Sequence, residues 1–225
     1  MKATNTNVKV WDLLVRLGHW TLVSAFFIAY FTEEELLTQH VWAGYTVAGV
    51  VLFRIFWGFI GSEHARFRDF VQSPGVTMRY LGDIAKNRAK RFVGHNPAGG
   101  AMVLALLASL AVVTFSGLEI YAIEENAGPL AGMVSNGANN PARFDLVPSA
   151  YASDDDDHDS GRESAEEFWE EVHEVSANVT LFLVLLHVAG VIVASISHGE
   201  NLVKAMVTGR KVDTLPGKQQ RPDEI

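Results

Sequence analysis

The 225-residue chain contains no cysteine. That absence excludes disulfides, iron–sulfur ligation, thiolate zinc sites and the C-x-x-C-H attachment of a c-type haem. It also lacks a glycine-rich phosphate loop and a nucleophile elbow, so a self-contained enzyme of soluble type is not expected. With a net charge of −8, nucleic acid is not an expected partner. What the chain does have is 48% hydrophobic residues and a slightly positive mean hydropathy. A strong negative charge and a high apolar content coexist here because the two are segregated along the sequence.

A bilayer crossing needs about 20 mostly apolar residues. Four stretches qualify, at approximately 12–31, 40–60, 100–120 and 175–197. The first is too long for a signal peptide, has no small-residue cleavage pattern after it and contains Arg16 and His19, so it reads as a retained helix. Short cytoplasmic loops retain Lys and Arg, and the polar segments alternate in sign accordingly. Lys2, Lys9 and Arg16 precede or open the first span, whereas Glu33, Glu34 and Glu35 follow it. Residues 61–95 carry seven bases against three acids, and residues 121–172 carry thirteen acids against two bases. The tail from Lys204 to Arg221 is basic again. Both termini are therefore expected in the cytoplasm of a bacterial inner membrane, with the acidic loops in the periplasm.

The basic segment contains Pro74 and Gly75, followed by Val76, Tyr80 and Ile84 at helical spacing. This predicts a short amphipathic helix whose basic residues meet anionic lipid head groups. HNPAGG ahead of the third span reads as a stop and restart, with Pro97 at the helix opening and Gly99 and Gly100 allowing close approach. The acidic loop 121–166 is long and ends in an Asp run at 154–157 with His158 beside it, which reads as solvated rather than as a metal site. Such an acidic face attracts a basic partner.

Titratable groups inside a membrane are candidates for function. His173 and His187 are fourteen residues apart on the fourth span, nearly four turns, so they share a face and lie roughly 21 Å apart along the axis. His40 opens the second span at the outer depth, and His19 lies at the inner depth of the first. Two depths thus each offer two imidazoles on different helices: His40 with His173, and His19 with His187. That suits both axial positions of a haem iron at each depth. Zinc or copper would recruit further Asp, Glu, Cys or Met ligands, and none lies near His187 in the sequence.

Arg54 follows His40 by fourteen residues, on nearly the same face but at the inner depth, and Arg16 lies one turn before His19. Either guanidinium would serve a haem propionate; either would alternatively snorkel to the interface. His64, His95 and His198 lie near cytoplasmic helix ends, as caps or as proton carriers to a quinone. The third span has no histidine and reads as packing, with Ser109, Ser116 and Gly117 as small contacts. Trp20, Trp42, Tyr45 and Trp57 suit an interface or the border of a cofactor.

RLGHW in the first span, HVWAGYTVAGVVLFRIFWGFIGSEHARF through the second, GHNPAGG before the third and VHE with LLH in the fourth resemble the bacterial cytochrome b561 family. These are di-haem membrane cytochromes related to the cytochrome b subunits of nickel–iron hydrogenases. The resemblance covers nearly the whole chain except the 121–166 loop. It implies an all-α integral membrane fold over 1–225, a single domain whose four-helix bundle holds two haem b groups. His19 and His187 would ligate the inner iron, and His40 and His173 the outer one. The expected function is electron transfer between the quinone pool and a redox partner, with a basic periplasmic protein such as a c-type cytochrome suiting the acidic face. Lipid and quinone are the other expected partners, and a homodimer or larger complex is left open. The alternatives are a haem-bearing anchor subunit of a dehydrogenase or hydrogenase, and a haemless transporter using the histidines as a metal or proton path. A transporter needs a continuous polar file, and LFLVLL stands between the two depths instead.

Overall fold

The computed structural model describes residues 6–32, 36–86, 88–92, 94–132 and 157–213. Glu33 to Glu35, most of the acidic loop and the side chains of the Asp/His tract fall outside the described residues. Four helices are long and apolar enough to cross a membrane: α1 (Leu13–Phe31), α2 (Leu37–Ile60), α5 (Pro97–Glu124) and α6 (Asp157–His198). Two shorter helices, α3 (Phe67–Phe70) and α4 (Pro74–Ala85), lie between α2 and α5, and α7 (Leu202–Thr208) follows α6. Helices solve the central problem of a lipid environment, because every backbone polar group in their interior is paired within the segment. Many large apolar side chains accordingly point outward, among them Phe59 at 70% and Ile196 at 77% exposure.

Several helix ends differ from the apolar windows. α2 begins before His40, which therefore sits inside the first turn rather than at the opening. α5 runs on to Glu124, and α6 begins at Asp157, well before the apolar run at 175. Hydropathy marks where lipid begins, whereas Glu and Ala remain good helix formers in water. The stretch ESAEEFWEEVHE thus extends α6 outside the apolar zone. α5 opens as the motif suggests: Pro97 occupies the first helical position, and Gly99 N–H donates to Asn96 Oδ1 at 2.7 Å. A Cβ on Gly100 would lie 2.6 Å from the Phe70 carbonyl oxygen, so only glycine permits that approach. α4 buries Tyr80, with Val76 and Ile84 half-buried, and exposes Met78 and Leu81 as well as Arg79.

By packing, the chain forms two compact units, Met1–Thr21 with Leu52–Leu104 and Leu185–Ile225, and Leu22–Val51 with Ala105–Val184. In the first unit, β1 (Thr6–Lys9) pairs antiparallel with β2 (Arg210–Asp213), with Val8 opposite Lys211. The Gly209 carbonyl accepts both Val10 N–H at 2.9 Å and Trp11 N–H at 3.2 Å. Gly209 has φ +76°, and a Cβ there would meet the Trp11 carbonyl at 2.7 Å. Glu200 binds Arg91 and faces the buried Lys211.

Asp12 secures the start of α1. Its Oδ1 accepts Val15 N–H at 2.8 Å, while its Oδ2 accepts Trp57 Nε1–H at 3.1 Å and the Ser62 hydroxyl. Burial pushes this carboxyl up, but the hydrogen bonds from Ser62, Val15 and Trp57 outweigh it and hold Asp12 below the usual carboxylate range. A depressed carboxyl contributes stability above its unfolded pKa, about 3.9, and loses it as pH falls through the folded value. Asp12→Asn keeps the bond to Val15 but sets an amide NH2 against the Trp57 and Ser62 donors, and is expected to lower stability by about 1–3 kcal/mol near neutrality. The difference from wild type should shrink in acid, as measured by thermal melts in detergent across pH.

Candidate functional site

The second unit holds one histidine pair. His40 is carried by the first turn of α2 and His173 by α6, and their ring centres are 6.0 Å apart at an interplanar angle of 66°. Two metal–imidazole bonds of about 2.0 Å place the nitrogens about 4 Å apart. With each ring centre about 1 Å behind its nitrogen, the rings of such a pair lie about 6 Å apart. The observed spacing fits two imidazoles sharing one metal, and it equally fits an edge-to-face ring contact.

Hydrogen bonds settle which nitrogen each ring offers. His40 Nδ1 lies 2.9 Å from the Ala29 carbonyl oxygen. A carbonyl only accepts, so Nδ1 carries the proton and the Nε2 lone pair is free. His173 Nδ1 lies 3.1 Å from Ser116 Oγ. Ser116 Oγ also lies 3.1 Å from the Val113 carbonyl; with its hydrogen donated there, its oxygen accepts from His173 Nδ1. In that arrangement Nε2 is again the free ligand atom. Partners of this kind fix the tautomer and orientation of a metal-binding imidazole.

The seam between α5 and α6 explains how His173 reaches this position. Ser116 and Thr180 are fully buried. Ser109 and Thr180 hydroxyls meet at 2.6 Å, and the Ser176 hydroxyl donates to the His173 carbonyl at 3.0 Å. Small hydroxyl residues let two membrane helices approach closely and satisfy their own polar atoms. A Cβ on Gly117 would lie 2.9 Å from His173 Cε1, so the absence of a side chain makes room for the ring. Ser116 and Gly117 read in the sequence only as packing residues; a hydroxyl beside a glycine on a histidine-free span is the one signal there. Ser116→Ala is expected to weaken cofactor retention by His173 about 10-fold, measurable by titrating haem into the haem-depleted protein.

The first unit holds His19, on α1, and His187, on α6, half-buried and within electrostatic reach of each other. His19 packs edge-on against Trp20 at 5.2 Å. Its Nδ1 is buried without a hydrogen-bond partner. Arg16 donates from Nη1 to the Val207 carbonyl while its Nε is buried and unpaired. The Arg54 guanidinium lies over the rings of Phe67 and Phe70, 5.5 and 5.8 Å from their centres, and its Nη1 is likewise buried and unpaired. Buried donors without partners are costly. Cationic donors left over beside a pair of imidazoles fit a group that brings its own anionic oxygens, as a haem does with its propionates.

Among the residues near the membrane ends, His95 precedes α5 and packs against Trp11 and Phe70. Burial, with Arg54 and Lys211 nearby, pushes His95 down to about 3, so it is a neutral imidazole. His64 sits at φ +71° in the turn after α2, and His198 closes α6. Trp57, read in the sequence as an interface or cofactor-bordering aromatic, donates from Nε1 to Asp12. In the second unit Glu124, Glu166 and Glu170 bring carboxylate oxygens within 4.8 Å of one another, an acidic cluster with no histidine in it.

The family model for prokaryotic cytochrome b561 matches residues 10–209, a range that includes His19, His40, His173, His187, Arg16 and Arg54. No curated protein and no solved structure matches the chain. The match takes in all four spans, α1, α2, α5 and α6, whole. The chain therefore belongs to the prokaryotic cytochrome b561 family, as a multi-pass membrane protein that binds haem b and carries electrons across the membrane.

Proposed function

We propose that the chain, a single membrane cytochrome domain over 1–225, holds two haem b groups and relays electrons between the quinone pool and a periplasmic redox protein. His40 and His173 are the axial ligands of one haem, and His19 and His187 those of the other. Arg16 and Arg54 face the propionates of the second. A haem iron with two imidazole ligands has no open coordination position, so when bound it supplies one-electron transfer rather than substrate chemistry. The protein's part is ligation, burial and charge, which set the potential. The observation that carries this reading is the 6.0 Å spacing of the His40 and His173 rings, with each Nδ1 already hydrogen-bonded and each Nε2 left to bind.

The loop charges support an orientation in a bacterial inner membrane with both termini cytoplasmic. That orientation puts the unit of His19 and His187 on the cytoplasmic side. The carboxylates of Glu124, Glu166 and Glu170 then belong to a periplasmic acidic face, which suits a basic partner such as a c-type cytochrome. The exposed face of α4 suits the cytoplasmic lipid surface.

A reduced-minus-oxidised absorption spectrum, with haem counted as pyridine haemochrome, tests the cofactor reading. Two b-type haems per chain are expected; none, in folded protein made with haem supplied, would sink it. Electron transfer from a quinol to a basic c-type cytochrome in proteoliposomes tests the partners. The rate is expected to fall steeply with added salt. A rate indifferent to salt would argue against the acidic docking face, and no quinol oxidation would argue against the quinone pool as donor.

A further inference from the structure

His95 has a place in the first unit that the histidine pairs do not explain. Its ring is held edge-on by Trp11 at 4.5 Å and tilted against Phe70 at 4.6 Å. Both of these are buried, Phe70 to 2% exposure, so the imidazole cannot swing freely. Its Nδ1 is nonetheless buried with no hydrogen-bond partner. The Arg54 guanidinium lies over the same Phe70 ring at 5.8 Å, and its Nη1 is also buried and unpaired. Two unpaired nitrogens, one from α2 and one from the turn before α5, thus gather about one phenyl ring.

The charged and titratable groups facing His95 are Arg54, Lys211, His187 and His64. These are cations and imidazoles, with no carboxylate among them. Asp12, the acid that attracts Arg54, already accepts from Val15, Trp57 and Ser62. Glu200 is engaged with Arg91 and Lys211. Neither is free to pair with these nitrogens. A site with an unpaired guanidinium N–H, positive surroundings and rigid aromatic walls is complementary to a carboxylate supplied by a ligand, and the His95 tautomer protonated at Nδ1 adds a second donor to it.

We propose that His95 and Arg54 together hold one propionate of the haem ligated by His19 and His187, with His95 donating from Nδ1. This rests on the haem reading above. His95 is then a positioning residue: it touches the edge of the cofactor, not the iron, and fixes one propionate relative to Arg54. A hydrogen bond and a cation on a propionate both oppose the electron-donating effect of its charge on the iron. Removing the hydrogen bond should lower the reduction potential of that haem and leave the other unchanged.

The test uses the full-length holoprotein and a pair of variants. His95→Phe keeps an aromatic ring between Trp11 and Phe70 but has no donor. His95→Asn places an amide N–H near the position of Nδ1. Resonance Raman spectra of the propionate bending region and a redox titration resolving both haems are the readouts. The expected result is a displaced propionate band and one lowered potential in His95→Phe, with both restored toward wild type in His95→Asn. Loss of one haem from the Phe variant but not from the Asn variant would support the same conclusion. Wild-type behaviour of His95→Phe, or equal changes or equal haem loss in both variants, would overturn it. A wild-type chain that binds no haem would overturn the underlying reading and this proposal with it.

Discussion

His187→Ala is expected to hold about one haem per chain where the wild type holds two. The imidazole of His187 lies in an apolar stretch of α6, where LFLVLL precedes it and VAGVIV follows. Nothing in that stretch offers a replacement ligand. Its loss leaves the iron with His19 alone and opens a cavity beside it, so both ligation and packing fail together. The other haem should survive, because the atoms that orient its ligands, the Ala29 carbonyl and the Ser116 hydroxyl, belong to the second unit. Pyridine haemochrome measures the stoichiometry, and far-ultraviolet circular dichroism checks that the helices remain. His198→Ala, at the end of the same helix, provides the control and should retain both haems. Two low-spin haems in His187→Ala, or the same loss in His198→Ala, would refute the assignment.

Gly117→Val should remove the other haem without touching any ligand. A Cβ at 117 would lie 2.9 Å from His173 Cε1 and 3.2 Å from Nδ1, closer than an unstrained neighbour allows, and valine adds two methyl groups beyond it. The backbone cannot retreat easily, since Ser116 next to it is fully buried and hydrogen-bonded to the same ring. The imidazole must therefore rotate or move, losing its Nδ1 partner and the aim of Nε2. Intrinsic helix propensity works the other way, because glycine is the poorer helix former by a few tenths of a kcal/mol. A loss of haem would thus be attributable to the ring contact and not to a weakened helix. Gly117→Ala, with only the Cβ, should bind haem more weakly but not lose it. An unchanged two-haem spectrum in Gly117→Val would show that His173 is not held against α5 in the way described.

Much of the fold is legible in the residues alone. The four spans follow from hydropathy, because the bilayer demands about 20 apolar residues whatever their neighbours. The pairing of histidines by depth follows from helical rise, a local property. The helix ends are less legible: the apolar window places the fourth span at 175, whereas α6 begins at Asp157, since a Glu-rich sequence is a poor lipid segment but a good helix. The ribbon joining Thr6–Lys9 to Arg210–Asp213 has no signature at all. Two four-residue strands at opposite ends of a chain carry no periodicity that announces a partner.

Residue identity and spacing were enough for the family and the membrane class, and they are the basis for expecting four imidazoles at two levels. All of these rest on the order of side chains along helices whose geometry is set by their own backbone hydrogen bonds. Contacts between distant elements were needed to establish that His40 presents Nε2, that Ser116 meets the His173 ring, and that Gly117 is space for that ring. The same holds for Arg54 and His95, which share an aromatic wall and each leave a buried nitrogen unpaired. Each of these depends on atoms far apart in the chain, where a carbonyl, a hydroxyl or a missing Cβ acts only through its neighbours in space.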